Sequence, residues 1–273
     1  MTKEGLAQEQ GVLLHLACDE ALARERAMLA AAVGDRGDGG PGPAWMLWRT
    51  DPCIVVPRSL LNRPAFAAAA AASAARGWPV RLRDTGGGAV AQGPGVVNLS
   101  MAFSIGAGLQ ERIGASYRIL CAPVMAMLRR RGIDGAYRAV SGTMCDGAYN
   151  IVVGDRKLAG TAQRWRSLGR DRPGGHGVLA HLALFAELDH AGAAEAINAL
   201  HADLGIEAGI HPSSHVNWAE IEAPAGGETA AAMARELAAA CRALRLDALL
   251  APEARDVAGT HDVDVDRGGR SRH

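Results

Sequence analysis

The segment Ile151-Val152-Val153-Gly154-Asp155-Arg156-Lys157-Leu158 constrains the fold of this chain more than any other. Two short runs of strand-forming residues flank Gly-Asp. Glycine stands where a type II′ turn needs a positive φ, so the segment predicts a tight antiparallel hairpin. The stretch from Ala136 to Phe185 around it reads as three or four strands. Apolar runs at Trp45–Trp48, Cys53–Val56, Pro79–Arg83 and Val96–Phe103 add further strands. Helical spacing covers residues 10–31, the alanine-rich Ala65–Ala75, 109–131 with a bend at Pro123, about 191–203, and about 229–246. Helices grouped at the start, middle and end around hairpin-connected strands predict an α+β fold with a mixed, largely antiparallel sheet. No linker divides the chain. A single domain over 1–255 is expected, with a flexible tail over 256–273.

Composition narrows the function. Lys+Arg and Asp+Glu are both 29, so the net charge is zero and no cation excess holds nucleic acid by bulk electrostatics. Hydrophobic residues make up 49% of the chain, enough for a sizeable core. No run of about 18 apolar residues occurs, which excludes a membrane-spanning helix. The N-terminus does not open like a signal peptide, so the cytoplasm is the expected compartment. The five cysteines, Cys18, Cys53, Cys121, Cys145 and Cys241, have no metal-site spacing and read as free thiols. Pro212 breaks any helix that would align His211 with His215, and no metal is assigned.

Three segments carry candidate chemistry. Arg83-Asp84-Thr85-Gly86-Gly87-Gly88-Ala89-Val90 is a triple glycine entered from a strand, able to present backbone N–H groups to a ligand. Alone, it is equally a flexible turn. Ser141-Gly142-Thr143-Met144-Cys145-Asp146-Gly147 surrounds a thiol with small residues. Cys145 is a nucleophile if a nearby cation outweighs the Asp146 carboxylate, and otherwise a passive thiol. Gly154 to Gln163 places Lys157 just after the hairpin turn, either solvated or held over a bound carbonyl.

The order and spacing of these motifs resemble the lipoate–protein ligase and octanoyltransferase branch of the biotin/lipoyl protein ligase superfamily. The matching segments are Arg83 to Val90, Asn98-Leu99-Ser100, Gly154 to Ala162, His176-Gly177-Val178-Leu179, and the early Asp19-Glu20-Ala21-Leu22. The resemblance implies that Gly86, Gly87 and Gly88 line an acyl pocket, with Arg83 and Thr85 at its mouth. It also implies that Lys157 contacts the acyl carbonyl and that Gly160, Thr161 and Ala162 flank the acyl chain. Asn98 and His176 complete the implied substrate-binding set.

Two chemistries run on this scaffold. An octanoyltransferase takes an acyl group from acyl carrier protein or a carrier domain and holds it on cysteine. It then delivers the group to a lysine of a 2-oxoacid dehydrogenase lipoyl domain or a glycine-cleavage carrier protein, with no cofactor. A lipoate–protein ligase instead uses ATP and Mg²⁺ to form an adenylate. Tyr149-Asn150 stands where ligases commonly carry Asn-Asp, and Gln92-Gly93 where they often carry His-Asp. Cys145 lies twelve residues before Lys157, and the chain ends at 273, leaving little room for a further ligase domain. These features favour the transferase, with Cys145 and Lys157 as catalytic residues. A binding protein that keeps the pocket without catalysis is the non-enzymatic rival.

Overall fold

The structure, a computed structural model, describes residues 11–34, 43–108, 111–207, 209–222 and 229–246. In chain order its first half comprises β1 (Leu13–His15), α1 (Cys18–Gly34), β2 (Ala44–Arg49), β3 (Cys53–Pro57), α2 (Phe66–Ala75), β4 (Val80–Arg83), β5 (Val90–Gln92) and β6 (Val96–Ile105). The second half comprises α3 (Arg112–Arg130), β7 (Gly135–Tyr137), β8 (Ile151–Val153), β9 (Arg156–Ser167), β10 (His176–Phe185), α4 (His190–Asp203), α5 (Trp218–Ile221) and α6 (Thr229–Ala243). The strands form a seven-stranded sheet, β1-β2-β6-β10-β9-β8-β7, and a three-stranded sheet, β4-β3-β5. Among the described strands only β1–β2 and β3–β4 pair in parallel, so the α+β, largely antiparallel fold is as the sequence predicts. No described helix is long and apolar enough to cross a membrane.

Strand alternation gives the large sheet two different faces. One carries Val97, Leu99, Met101 and Phe103 of β6 and Val178, Leu182 and Leu184 of β10, packed under α3 and α6 as the main core. The other meets α1 through Met46, Trp48 and Ala102. Helix α1 buries Cys18, Ala21, Leu22, Glu25, Met28, Leu29 and Ala32, one stripe at helical spacing, and Asp19 and Glu20 in its first turn suit the helix dipole. Each Leu or Met on that stripe contributes about 1.5–3 kcal/mol by leaving water. A Cβ at Gly177 would lie 2.7 Å from Val33 Cγ2, so this glycine lets the end of α1 approach β10. The small sheet packs under α2 and α4 through Ile54, Val56, Ala69, Ala91, Ile197 and Leu200.

The Gly154-Asp155 turn joins β8 to β9 as predicted, with Gly154 at φ +59°. Three elements differ from the sequence reading, the short helix α5 among them. The start of the helix expected over 10–31 is strand β1, because Leu13–His15 pair with Leu47–Arg49 at the sheet edge. Strand β5 follows the triple glycine, where no strand was expected, and is held by pairing with β3. Pro123 lies buried within α3. The expected tail over 256–273 lies outside the described residues.

Candidate active site

Arg83, the last residue of β4, is buried and turns its guanidinium back into the glycine turn. It donates to Gly86 O at 2.9 Å, Gly88 O at 2.7 Å and Val55 O at 3.0 Å. Burial pushes Arg83 below the usual arginine range, while the nearby Cys145 and Glu25 hold it up. Cys145 Sγ accepts the Gly88 N–H at 3.2 Å and lies 3.9 Å from Arg83 Nη2. The triple glycine therefore houses the thiol. A Cβ at Gly87 (φ +102°) would lie 2.4 Å from Sγ. Cys145 itself has φ +52°, a left-handed conformation that costs a non-glycine residue about 1–2 kcal/mol. The Asp146 carboxylate accepts the Val140 N–H at 2.8 Å. The other four cysteines are buried.

Lys157 reaches the same loop because β9 carries a bulge. Val152 pairs with Lys157 and Ile151 with Ala159, leaving Leu158 as the extra residue. Leu158 and Ala159 both enter the main core, and the parity beyond them is reversed. That reversal puts Lys157 on the side of Gly160 and Ala162. Its Nζ donates to Met144 O and, at 2.9 Å, to Cys145 O. A Cβ at Gly160 would lie 3.0 Å from Nζ, so the missing side chain makes room for the lysine. Lys157 is 0% exposed, and burial lowers its pKa to about 8. Cys145 and Asp146 oppose that fall, and Arg83 adds to it.

Beside Cys145 lies a cavity. Gly160, Ala162 and Ala183 form a floor of small residues, and Leu22, Val55 and Val90 supply apolar walls. Gln92 and Asn98 border it as a closed pair: Asn98 Nδ2 donates to Gln92 Oε1 at 2.8 Å and Gln92 Nε2 to Asn98 Oδ1 at 3.2 Å. A polar chain closes another wall. Trp48 Nε1 donates to Ser100 Oγ, Ser100 donates to Glu25 Oε1 at 2.6 Å, and His181 Nδ1 meets the same oxygen at 2.9 Å. Since the carboxylate accepts, Nδ1 carries the proton and Nε2 faces Thr85 Oγ1 at 3.1 Å.

The structure thus brings Arg83, Thr85, Gly86, Gly87, Gly88, Asn98, Cys145, Lys157, Gly160 and Ala162 around one site. Gly87 and Gly88 hold the thiol rather than lining the cavity, and Gly86 accepts from Arg83. Thr161 borders the cavity and donates to Tyr149 O at 3.0 Å. His176 is not brought there. It sits at the start of β10 on the face opposite His181, edge-on to Trp165 at 5.5 Å. The sequence reading missed Glu25 and His181. A carboxylate on the buried stripe of α1 was the available signal for the first, and the parity shared with Ala183 for the second. Asn150, which the sequence marks only as a departure from the ligase pattern, is buried with Oδ1 unpartnered and Nδ2 3.5 Å from Cys145 O. No cluster of metal-ligating side chains occurs among the described residues.

Residues 14–212 match the lipoyl protein ligase A/B catalytic domain. An octanoyl-GcvH:protein N-octanoyltransferase of Kyrpidia tusciae is 38% identical over 185 residues, 66% of this chain and 61% of that protein. A protein of the same name from Bacillus velezensis is 33% identical over 92 residues, 32% of this chain and 30% of that protein. The chain therefore spans less than two thirds of the length of these relatives. Among solved structures, a Thermoplasma acidophilum protein with bound lipoic acid has the same fold, with a TM-score of 0.58 and 20% identity over 85% of this chain and 86% of that one. The family match covers well over half of the sequence, and the chain belongs to the lipoyl protein ligase A/B catalytic domain family.

Proposed function

We propose that this chain is an octanoyltransferase that holds the acyl group as a thioester on Cys145 and delivers it to a lysine of a lipoyl carrier. The observation that carries the reading is the setting of Cys145 Sγ, which meets a backbone N–H and a buried guanidinium at the side of a small-floored cavity. The names of the relatives in Kyrpidia and Bacillus support octanoyl as the group moved and a GcvH-type carrier as a partner. Acyl carrier protein is the alternative donor.

The sulfur attacks the donor carbonyl and a C–S bond forms. The donor's thiol or amine then leaves, taking the proton. Gly88 N–H and Arg83 are the donors available to the oxyanion, and Lys157 keeps the loop in place. An incoming lysine amine next attacks the thioester: the C–N bond forms, the C–S bond breaks, and the amine proton returns to sulfur. One acyl linkage replaces another, so no ATP is consumed. Burying an eight-carbon tail contributes roughly 5–6 kcal/mol, enough to select it over acetyl.

Intact mass of the purified protein tests this, after incubation without ATP with octanoyl-acyl carrier protein and, separately, octanoyl-GcvH. The expected result is one octanoyl adduct, discharged by hydroxylamine and absent in Cys145→Ser. No adduct from either donor, with adenylate formed from ATP and octanoate, makes the chain a lipoate–protein ligase instead. The cavity assignment has its own check. Ala183→Leu adds three carbons to the floor, displacing the equivalent of two to three methylenes at about 0.8 kcal/mol each. The kcat/KM ratio of octanoyl over butanoyl donor should fall at least about tenfold. An unchanged ratio would place the acyl chain elsewhere.

A further inference from the structure

The nucleophile loop is braced from behind by a segment of the chain that straddles the end of the family match. His211 N–H donates to Gly142 O at 2.8 Å, and Ser214 Oγ to Ser141 O at 3.2 Å. The third contact is the most specific: Met144 N–H donates to His215 Nε2 at 3.0 Å, and both residues are buried. The other ring nitrogen, Nδ1, faces His211 O at 3.0 Å, which fixes the tautomer with Nδ1 protonated and Nε2 as the acceptor.

Met144 is therefore held on both sides of its backbone. His215 takes its N–H, and Lys157 donates to its carbonyl. The two holding residues are themselves joined, because His215 bridges Lys157 and Val216 N–H donates to Lys157 O at 2.9 Å. A residue fixed in this way immediately before Cys145 leaves the cysteine little freedom to leave its left-handed conformation. Such conformations persist where the surroundings over-determine them.

We propose that His215 is a positioning residue of the transfer reaction: by accepting the Met144 N–H, it holds Cys145 in the conformation that aims Sγ at the glycine turn. This rests on the thioester reading above and goes beyond it, since His215 lies outside the matched residues 14–212. Its surroundings suit the role. The ring stacks on His190 at 5.1 Å and meets the edge of Phe185 at 5.7 Å. Burial first, then His190 and Lys157, lower its pKa to about 4, so at neutral pH the ring is uncharged and Nε2 is free to accept.

Two substitutions separate positioning from packing. His215→Phe keeps a flat ring against His190 and Phe185 but offers no acceptor. His215→Gln restores a carbonyl oxygen toward Met144 N–H and an amide toward His211 O. In single-turnover reactions with octanoyl-loaded donor, the Phe variant should form thioester roughly 10–100-fold more slowly. Half-saturating donor concentration should change less than about threefold, and Gln should recover most of the rate. If the Phe variant does not fold, His215→Leu takes its place. The Met144 amide, followed by hydrogen exchange, should exchange faster in the Phe or Leu variant than in wild type or Gln.

A Phe or Leu variant that acylates at the wild-type rate overturns the proposal, as does a Gln variant as slow as the Phe or Leu variant. A wild-type chain that forms no thioester overturns the function proposed above. Equal Met144 exchange in all three proteins overturns the His215 hold itself, whatever the reaction.

Discussion

Lys157→Met is expected to slow thioester formation on Cys145 by about a hundredfold, the loss that follows when a reacting atom is misplaced by about 1 Å. Lys157 Nζ donates to the carbonyls of Met144 and Cys145, and methionine fills the same volume without a donor. Lys157→Arg should not rescue. A guanidinium is broader than an ammonium, and Nζ already lies 3.0 Å from where a Gly160 Cβ would be. A Met or Arg variant with near-wild-type acylation would remove Lys157 from the mechanism.

The same substitution has a stability signature with a definite sign. Burial lowers the Lys157 pKa in the fold to about 8. An unfolded lysine titrates near 10.4. Between those values the unfolded chain binds a proton at this residue that the folded chain does not, so its contribution to stability rises with pH and is lost as pH falls toward 8. Below 8 both states are protonated and the dependence ends. Wild-type stability relative to Lys157→Met should therefore increase by roughly 2–3 kcal/mol between neutral pH and pH 10, measured by urea unfolding of both proteins. Parallel curves would mean that the buried amine carries its charge without penalty.

Local chemistry explains what could be read from the residues in advance. The Gly154-Asp155 hairpin, the alanine helix and the strand after Val96 follow from turn chemistry and periodicity, both properties of neighbouring residues. The lysine was assigned to the site through its motif, but its orientation was not legible. Simple alternation puts Lys157, three residues before Gly160, on the opposite face. Only the extra residue at Leu158, set by how β9 pairs with β8, brings it round. His176 failed for the complementary reason. It shares parity with Val178, which enters the main core, whereas His181 shares parity with Ala183 on the cavity side. Strand β1 escaped because three residues with helical spacing were captured by a sheet edge formed some thirty positions later. The brace by His215 was invisible for the same reason: nothing near it in sequence shows that Met144 is its partner.

Gly87→Ala is expected to be nearly as damaging as loss of the lysine, for two independent reasons. At φ +102° an L side chain is strained, at a cost of about 1–3 kcal/mol. The new Cβ would also fall 2.4 Å from Cys145 Sγ and 3.0 Å from Arg83 Nη2. The thiol cannot stay where it is, so it must leave the Gly88 N–H and the guanidinium together. A displacement of about 1 Å at a reacting atom is enough for a loss of roughly a hundredfold in thioester formation. Gly88→Ala should be milder, about tenfold, because its Cβ would meet Cys145 Cα at 3.3 Å and its φ is not in the left-handed region. Gly93→Ala, in a turn with no atom within 4 Å of its Cβ, should react like wild type. The ordering Gly87, Gly88, Gly93 follows from distance to the thiol and not from glycine content or turn flexibility. If Gly87→Ala acylates as fast as Gly93→Ala, Cys145 does not work from the glycine turn, and the thioester would have to form with the loop in another conformation.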